Sequence, residues 1–254
     1  MKKMILAALL VSTATLSFAG NAHADEMDKI VNNPKEKTEV GINFKTNDGS
    51  LQTEGPFKGH LAVVFNPTRF HFGSGKVAAA GSNNLIFDQE GADATVQAEK
   101  QFLVVNDDRE ANGTTVNPGQ EWHVTATFSG LKTSAGDDLA STIKLKTGVA
   151  QGYAIGSAID PVTQDYIPAN PNADATVITD LASTEQANFD GGSEVTLTKD
   201  SAVTVFGRKT ADPGKKGGVA TQITDVQLLI PDGTGAAGKT FTGDITWALA
   251  DTYK

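Results

Sequence analysis

The 254-residue chain contains no cysteine, so no disulfide framework supports the fold. A chain of this length buries enough apolar surface to do without one. Histidine is scarce. Beyond His23 only His60, His71 and His123 occur, and no two lie at the short spacing of a local metal pair. No Gly-x-Ser-x-Gly elbow is present. Gly73-Ser-Gly-Lys76 lacks the spacing of a phosphate-binding loop and reads as a turn. These absences leave little to build catalysis from, and the expectation is a non-enzymatic protein without a cofactor or a resident metal. Basic charge is also short: 21 Lys and Arg against 30 Asp and Glu leave a formal charge of −9. That balance excludes nucleic acid and anionic membrane surfaces as natural partners. After the first residues, no stretch is apolar enough to span a bilayer.

The amino terminus is a different matter. Lys2 and Lys3 precede the apolar run Met4–Phe18, and Ala22-His23-Ala24 supplies small residues at the positions a signal peptidase reads. Residues 1–24 are therefore expected to be a secretory signal peptide. Their removal, which takes away two lysines and no acid, moves the charge from −9 to −11. The carboxyl end, Asp251-Thr-Tyr-Lys254, shows no hydrophobic tail or sorting signal. The expectation is a secreted, cell-surface protein held without a covalent or membrane anchor.

In between, apolar residues recur with period two. Leu61–Phe65, Trp122–Phe128, Ile143–Leu145, Val195–Leu197, Val226–Ile230 and Ile245–Leu249 alternate, and Asn-Pro, Asn-Gly, Pro-Gly and Gly-Gly clusters punctuate them. The pattern predicts an all-β fold: an antiparallel β-sandwich, Ig-like or barrel-like, with long loops. Residues 57–254 form the β domain. Residues 25–56 form an N-terminal arm, in which Glu39–Phe44 reads as an edge strand. Gly152–Asn172, with three prolines, reads as a long surface loop. The stretch that best admits a short helix is Leu181–Ala187.

Two groups of residues stand out. Asp107-Asp108-Arg109 follows the apolar stretch Phe102–Val105. It offers carboxylates for a calcium ion, or a strand end at which Arg109 pairs an acid; without EF-hand spacing the ion pair is the favoured reading. Generic carboxylates are also the sole support for a glycoside-acting enzyme. His123 alternates with Trp122 and Val124 and is expected on the solvated face. The second group is aromatic. Trp122 is in phase with Val124, Ala126 and Phe128, and Trp247 with Ile245 and Leu249. That phasing is the mark of a core face, whereas an exposed indole would serve as a contact for a sugar or a partner.

The ordered set Phe70-His-Phe-Gly73, Val105-Asn-Asp-Asp-Arg109, Trp122-His-Val-Thr-Ala126, Leu139-Ala-Ser-Thr-Ile143, Leu228-Leu-Ile-Pro231, Ala237-Gly238 and Ile245-Thr-Trp-Ala-Leu249 resembles the WxL domain of Gram-positive surface proteins. The first motif departs from the pattern: Val124 stands where the family has Leu. The resemblance implies a cell-surface protein held non-covalently on peptidoglycan through Trp122, Val124, Trp247 and Leu249 as motif or contact residues. It also implies membership of a surface complex, with a WxL-interacting family protein and other WxL proteins as partners. A structural or adhesive subunit that joins other proteins by β-strand addition, without touching the wall, is the alternative.

Overall fold

The computed structural model describes residues 56–70, 72, 83–86, 101–109, 121–210 and 216–251. They all fall within one unit of the chain, Pro34–Lys254. They form β1 (Leu61–Phe65), β2 (Asn83–Ile86), β3 (Gln101–Asp107), β4 (Trp122–Phe128), β5 (Leu131–Lys132), β6 (Asp138–Leu139) and β7 (Thr142–Thr147). There follow β8 (Gln151–Tyr153), β9 (Ile178–Asp180), a one-turn helix α1 (Ser183–Gln186), β10 (Phe189–Asp190), β11 (Glu194–Thr198), β12 (Ala202–Arg208), β13 (Gly217–Ile230) and β14 (Ile245–Ala250).

Alternation explains how these strands assemble. Trp122, Val124, Ala126 and Phe128 of β4 share one face, and Ile245 and Trp247 of β14 continue it. With β10 and β12 they make a four-stranded sheet in the order β10-β12-β4-β14. A larger sheet, β1-β3-β13-β7-β11, packs against it as the second layer. Leu103, Val105, Leu145, Leu197, Val219 and Ile223 supply its inner face. Every strand-to-strand pairing among the described residues is antiparallel. Neither sheet closes on itself, so the fold is a sandwich and not a barrel.

The 14-residue β13 is the spine of the larger sheet. Its first half pairs with β3 and β8, and its second with β7 and β2. The register shifts between Thr224 and Gln227, where Asp225 takes a positive φ of 50°. Such a bulge bends a strand and lets one chain serve two sets of neighbours.

The larger sheet is apolar on both sides. Leu103 and Val105 face the smaller sheet, whereas Phe102 and Val104 belong to a second cluster with Phe57, Ala62, Val64, Tyr153 and Val177. The segment between β8 and β9 covers this outer face. Hydrogen bonds anchor it. The Tyr153 hydroxyl donates to the Ala169 carbonyl at 2.8 Å. The buried Asp165 carboxylate accepts the backbone N–H groups of Phe57 at 3.0 Å and Lys58 at 2.7 Å.

Two expectations are corrected. Gly152 and Tyr153 are buried strand residues, and the 154–172 stretch beyond them is partly a core cover and not wholly a surface loop. His123 points away from the sandwich core as alternation requires, yet it is only 5% exposed, flanked in register by Gly207 and Ala250. Alternation fixes which face a residue takes, not whether that face is covered. The arm at 25–56, with its strand at Glu39–Phe44, lies outside the described residues apart from Pro56, as do residues 1–24.

Candidate functional site

The two tryptophans lie on neighbouring strands of the smaller sheet, both on its inner face. Trp247 sits opposite Ala126, whose small side chain leaves room for the indole. Trp122 lies further along β4, opposite Arg208 of β12. Its ring meets Phe206 edge-on at 5.4 Å and Phe189 at 6.2 Å. The Arg208 guanidinium lies over the Phe189 ring at 5.1 Å and closes this aromatic cluster at the end of the sandwich. Trp122 is 0% exposed and Trp247 2%. Val124 is fully buried, and Leu249, half-buried, packs against the same core. Three of the four motif side chains thus lie in the interior with Leu249 at its margin, and neither indole offers a face to a ligand in the folded domain.

The acidic group closes the end of β3. Arg109 holds both Asp107 oxygens, Nε to Oδ1 and Nη2 to Oδ2, each at 2.8 Å. This two-pronged pairing occupies a carboxylate that is 1% exposed. Asp108 Oδ2 accepts the Gly59 backbone N–H at 2.9 Å and the Tyr166 hydroxyl at 3.3 Å, and Lys216 lies 3.7 Å from its Oδ1. Asp108 therefore ties the chain before β1 to the cover segment. Among the described residues no three His, Asp or Glu side chains group as metal ligands.

A different region offers a concave surface. A cleft of about 820 Å³ opens between the β5–β6 hairpin, the β11–β12 turn and the end of β13. Leu139, Leu229 and Pro231 contribute aliphatic surface over the buried Ile230, and Ser141 and Thr142 contribute hydroxyls. Asp138 and Lys199 line it as an ion pair at 2.9 Å, with Lys132 3.8 Å from the same carboxylate. The pair holds Asp138 below the usual carboxylate range, chiefly through its hydrogen bond from Lys199, and raises Lys199 correspondingly. Gly130, at φ +81°, lets the Lys199 stem lie against the backbone: a Cβ there would sit 2.9 Å from Lys199 Cδ. The hairpin wall is fixed in place. Lys132 and Thr242 exchange backbone hydrogen bonds at 2.8 and 2.9 Å, Asp244 N–H donates to Ser129 Oγ at 2.8 Å, and Lys239 pairs with Asp137 at 3.0 Å.

No local sequence pattern marks this cleft, because its residues are drawn from four separated stretches. The one signal in the sequence is that Leu139–Ile143 and Leu228–Pro231 are motif segments with no chemical role of their own.

The family model described as "WxL domain surface cell wall-binding" matches residues 11–252. Searches of curated proteins and of solved structures return no match. No helix among the described residues is long and apolar enough to cross a membrane. With the match spanning nearly the whole chain, the protein belongs to the WxL domain family of cell-wall-binding surface proteins.

Proposed function

We propose that this protein is exported through its amino-terminal signal peptide and binds peptidoglycan non-covalently, as one member of a surface complex. A WxL-interacting family protein and other WxL proteins are its partners in that complex, and it catalyses no reaction. The observation that carries this reading is the family match over residues 11–252. The burial of Trp122 and Trp247 refines it. The tryptophan motif shapes the sandwich, and a separate surface of that sandwich meets the wall. Retention of the mature protein, residues 25–254, on purified peptidoglycan tests this. Binding that survives removal of wall proteins and of salt-labile material is expected; no retention refutes the proposal.

A second reading rests on β14. It is an edge of the smaller sheet among the described residues, with Thr246 and Ala248 exposed. An edge strand accepts an added strand through its unpaired backbone groups. Amide exchange of residues 245–250 in the presence of a partner protein distinguishes the readings. Slowed exchange supports strand addition, and unchanged exchange removes it.

A further inference from the structure

We infer that the cleft between the β5–β6 hairpin and the end of β13 is the wall-binding site, and that its ligand is the short peptide of peptidoglycan and not the glycan. This rests on the wall-binding reading above and adds the place and the chemical class.

The lining chooses between the two parts of the wall. Sugar rings are held by flat aromatic faces, and none of the described residues lining this cleft is aromatic. Its surface is instead aliphatic, from Leu139, Leu229 and Pro231, with the buried Ile230 behind them. The peptides of bacterial walls are short and rich in alanine, and they carry free carboxylates together with an amine. The cleft supplies the complement of each. Lys199 presents a cation, Asp138 an anion, Thr142 a hydroxyl, and Ser141 a hydroxyl oxygen whose proton goes to the Leu139 carbonyl at 3.1 Å. Asp138 and Lys199 are both exposed, so their mutual ion pair is worth little and is readily exchanged for the ends of a zwitterionic ligand.

The cleft is also built in advance. The hairpin that forms one wall is bonded to the chain leading into β14, and the turn that carries Lys199 is fixed by the Asp200 N–H donating to the Phe128 carbonyl at 2.7 Å. A preformed wall spares the ligand the cost of ordering it. The same bonds link the cleft to the tryptophan strands β4 and β14, which gives the buried motif its part: it holds the scaffold on which the cleft stands.

The test uses the mature protein, whole peptidoglycan sacculi, stem peptides released from them by an amidase, and the peptide-free glycan strands left behind. Ala140 lines the cleft and is exposed, so Ala140→Trp fills the cleft without entering the core. Lys199→Glu reverses the cation. Val162→Trp, at a side chain 87% exposed and outside the cleft lining, controls for a bulky surface residue. The expected result is that wild type binds sacculi and is displaced by stem peptides but not by glycan. Ala140→Trp and Lys199→Glu then lose at least about tenfold in affinity, near 1.4 kcal/mol, at an unchanged melting temperature, while Val162→Trp binds as wild type. Should Ala140→Trp not fold, Lys199→Glu carries the test. If folded cleft variants bind sacculi like wild type, the cleft is overturned and wall binding stands. Displacement by glycan alone overturns the peptide assignment. If wild type itself does not bind sacculi, the wall-binding reading falls and the cleft with it.

Discussion

Leu249 lies directly across from Val124 in the register of β14 and β4, so the third residues of the two tryptophan triplets meet each other in the sheet. Val124 is flanked on its other side by Phe206 of β12. A fully buried side chain between a leucine and a phenylalanine has little spare volume. Combining Val124→Ala with Leu249→Ala is expected to be non-additive by at least about 0.5 kcal/mol in urea unfolding. Val124→Leu, the family-like residue, is expected to destabilise by about 1–3 kcal/mol through overpacking. Strict additivity would mean that the two residues do not share a site.

The tryptophans are expected to behave as core residues. Trp247→Ala leaves a large cavity opposite Ala126 and should cost about 3–5 kcal/mol. Trp122→Phe should be milder, because Trp122 Nε1 has no hydrogen-bond partner among the described residues and no bond is lost. Chemical denaturation of both variants gives the ordering; a Trp247→Ala protein as stable as wild type would contradict it.

These strands were also where the sequence was most readable. In β4, β11 and β14 one face is apolar and the other polar or small, so period-two alternation marks the core side directly. β3 defeats that reading because all seven of its residues are buried, with Leu103 and Val105 in one core and Phe102 and Val104 in the other. β12 defeats it through the irregularity between Thr204 and Phe206, which breaks the period mid-strand. In β13, Gly217-Gly218 and the polar Thr221 and Gln222 hid everything before Val226. Gly218 is required there, since a Cβ would run into Tyr153 of the paired strand. The cleft was unreadable for another reason: Lys199 and Asp138 become neighbours only once the β5–β6 hairpin lies beside the β11–β12 turn.

Asp165 fixes the cover segment to the start of the domain. Asp165→Ala strips the acceptor from the Phe57 and Lys58 amides and is expected to cost about 1–3 kcal/mol. Faster exchange at these two amides, with β4 and β14 still protected, is the expected local signature. Uniform loss of protection would show that the segment and the sandwich unfold as one.

Tyr153 predicts an alkaline limit. Burial pushes its phenol well above the ordinary value of 10.0. The unfolded chain thus loses the phenolic proton first. The stabilisation is complete below about pH 10 and is lost progressively as the pH rises towards the folded value. Unfolding midpoints followed upward from pH 9 should fall for wild type. They should fall less steeply for Tyr153→Phe, which begins lower by about 1 kcal/mol for the lost hydrogen bond. Identical slopes would show that the phenol is not shielded.

The chain has only two tryptophans, so its indole fluorescence reports on Trp122 and Trp247 alone. Emission and acrylamide quenching of the mature protein, measured free and then saturated with solubilised peptidoglycan, test the account most directly. A wall-binding domain whose tryptophans are core residues predicts short-wavelength emission, little quenching, and no change in either when the wall material binds. Exposed, readily quenched indoles in the free protein, or emission that shifts and becomes protected on binding, would contradict it and make the tryptophans the contact surface.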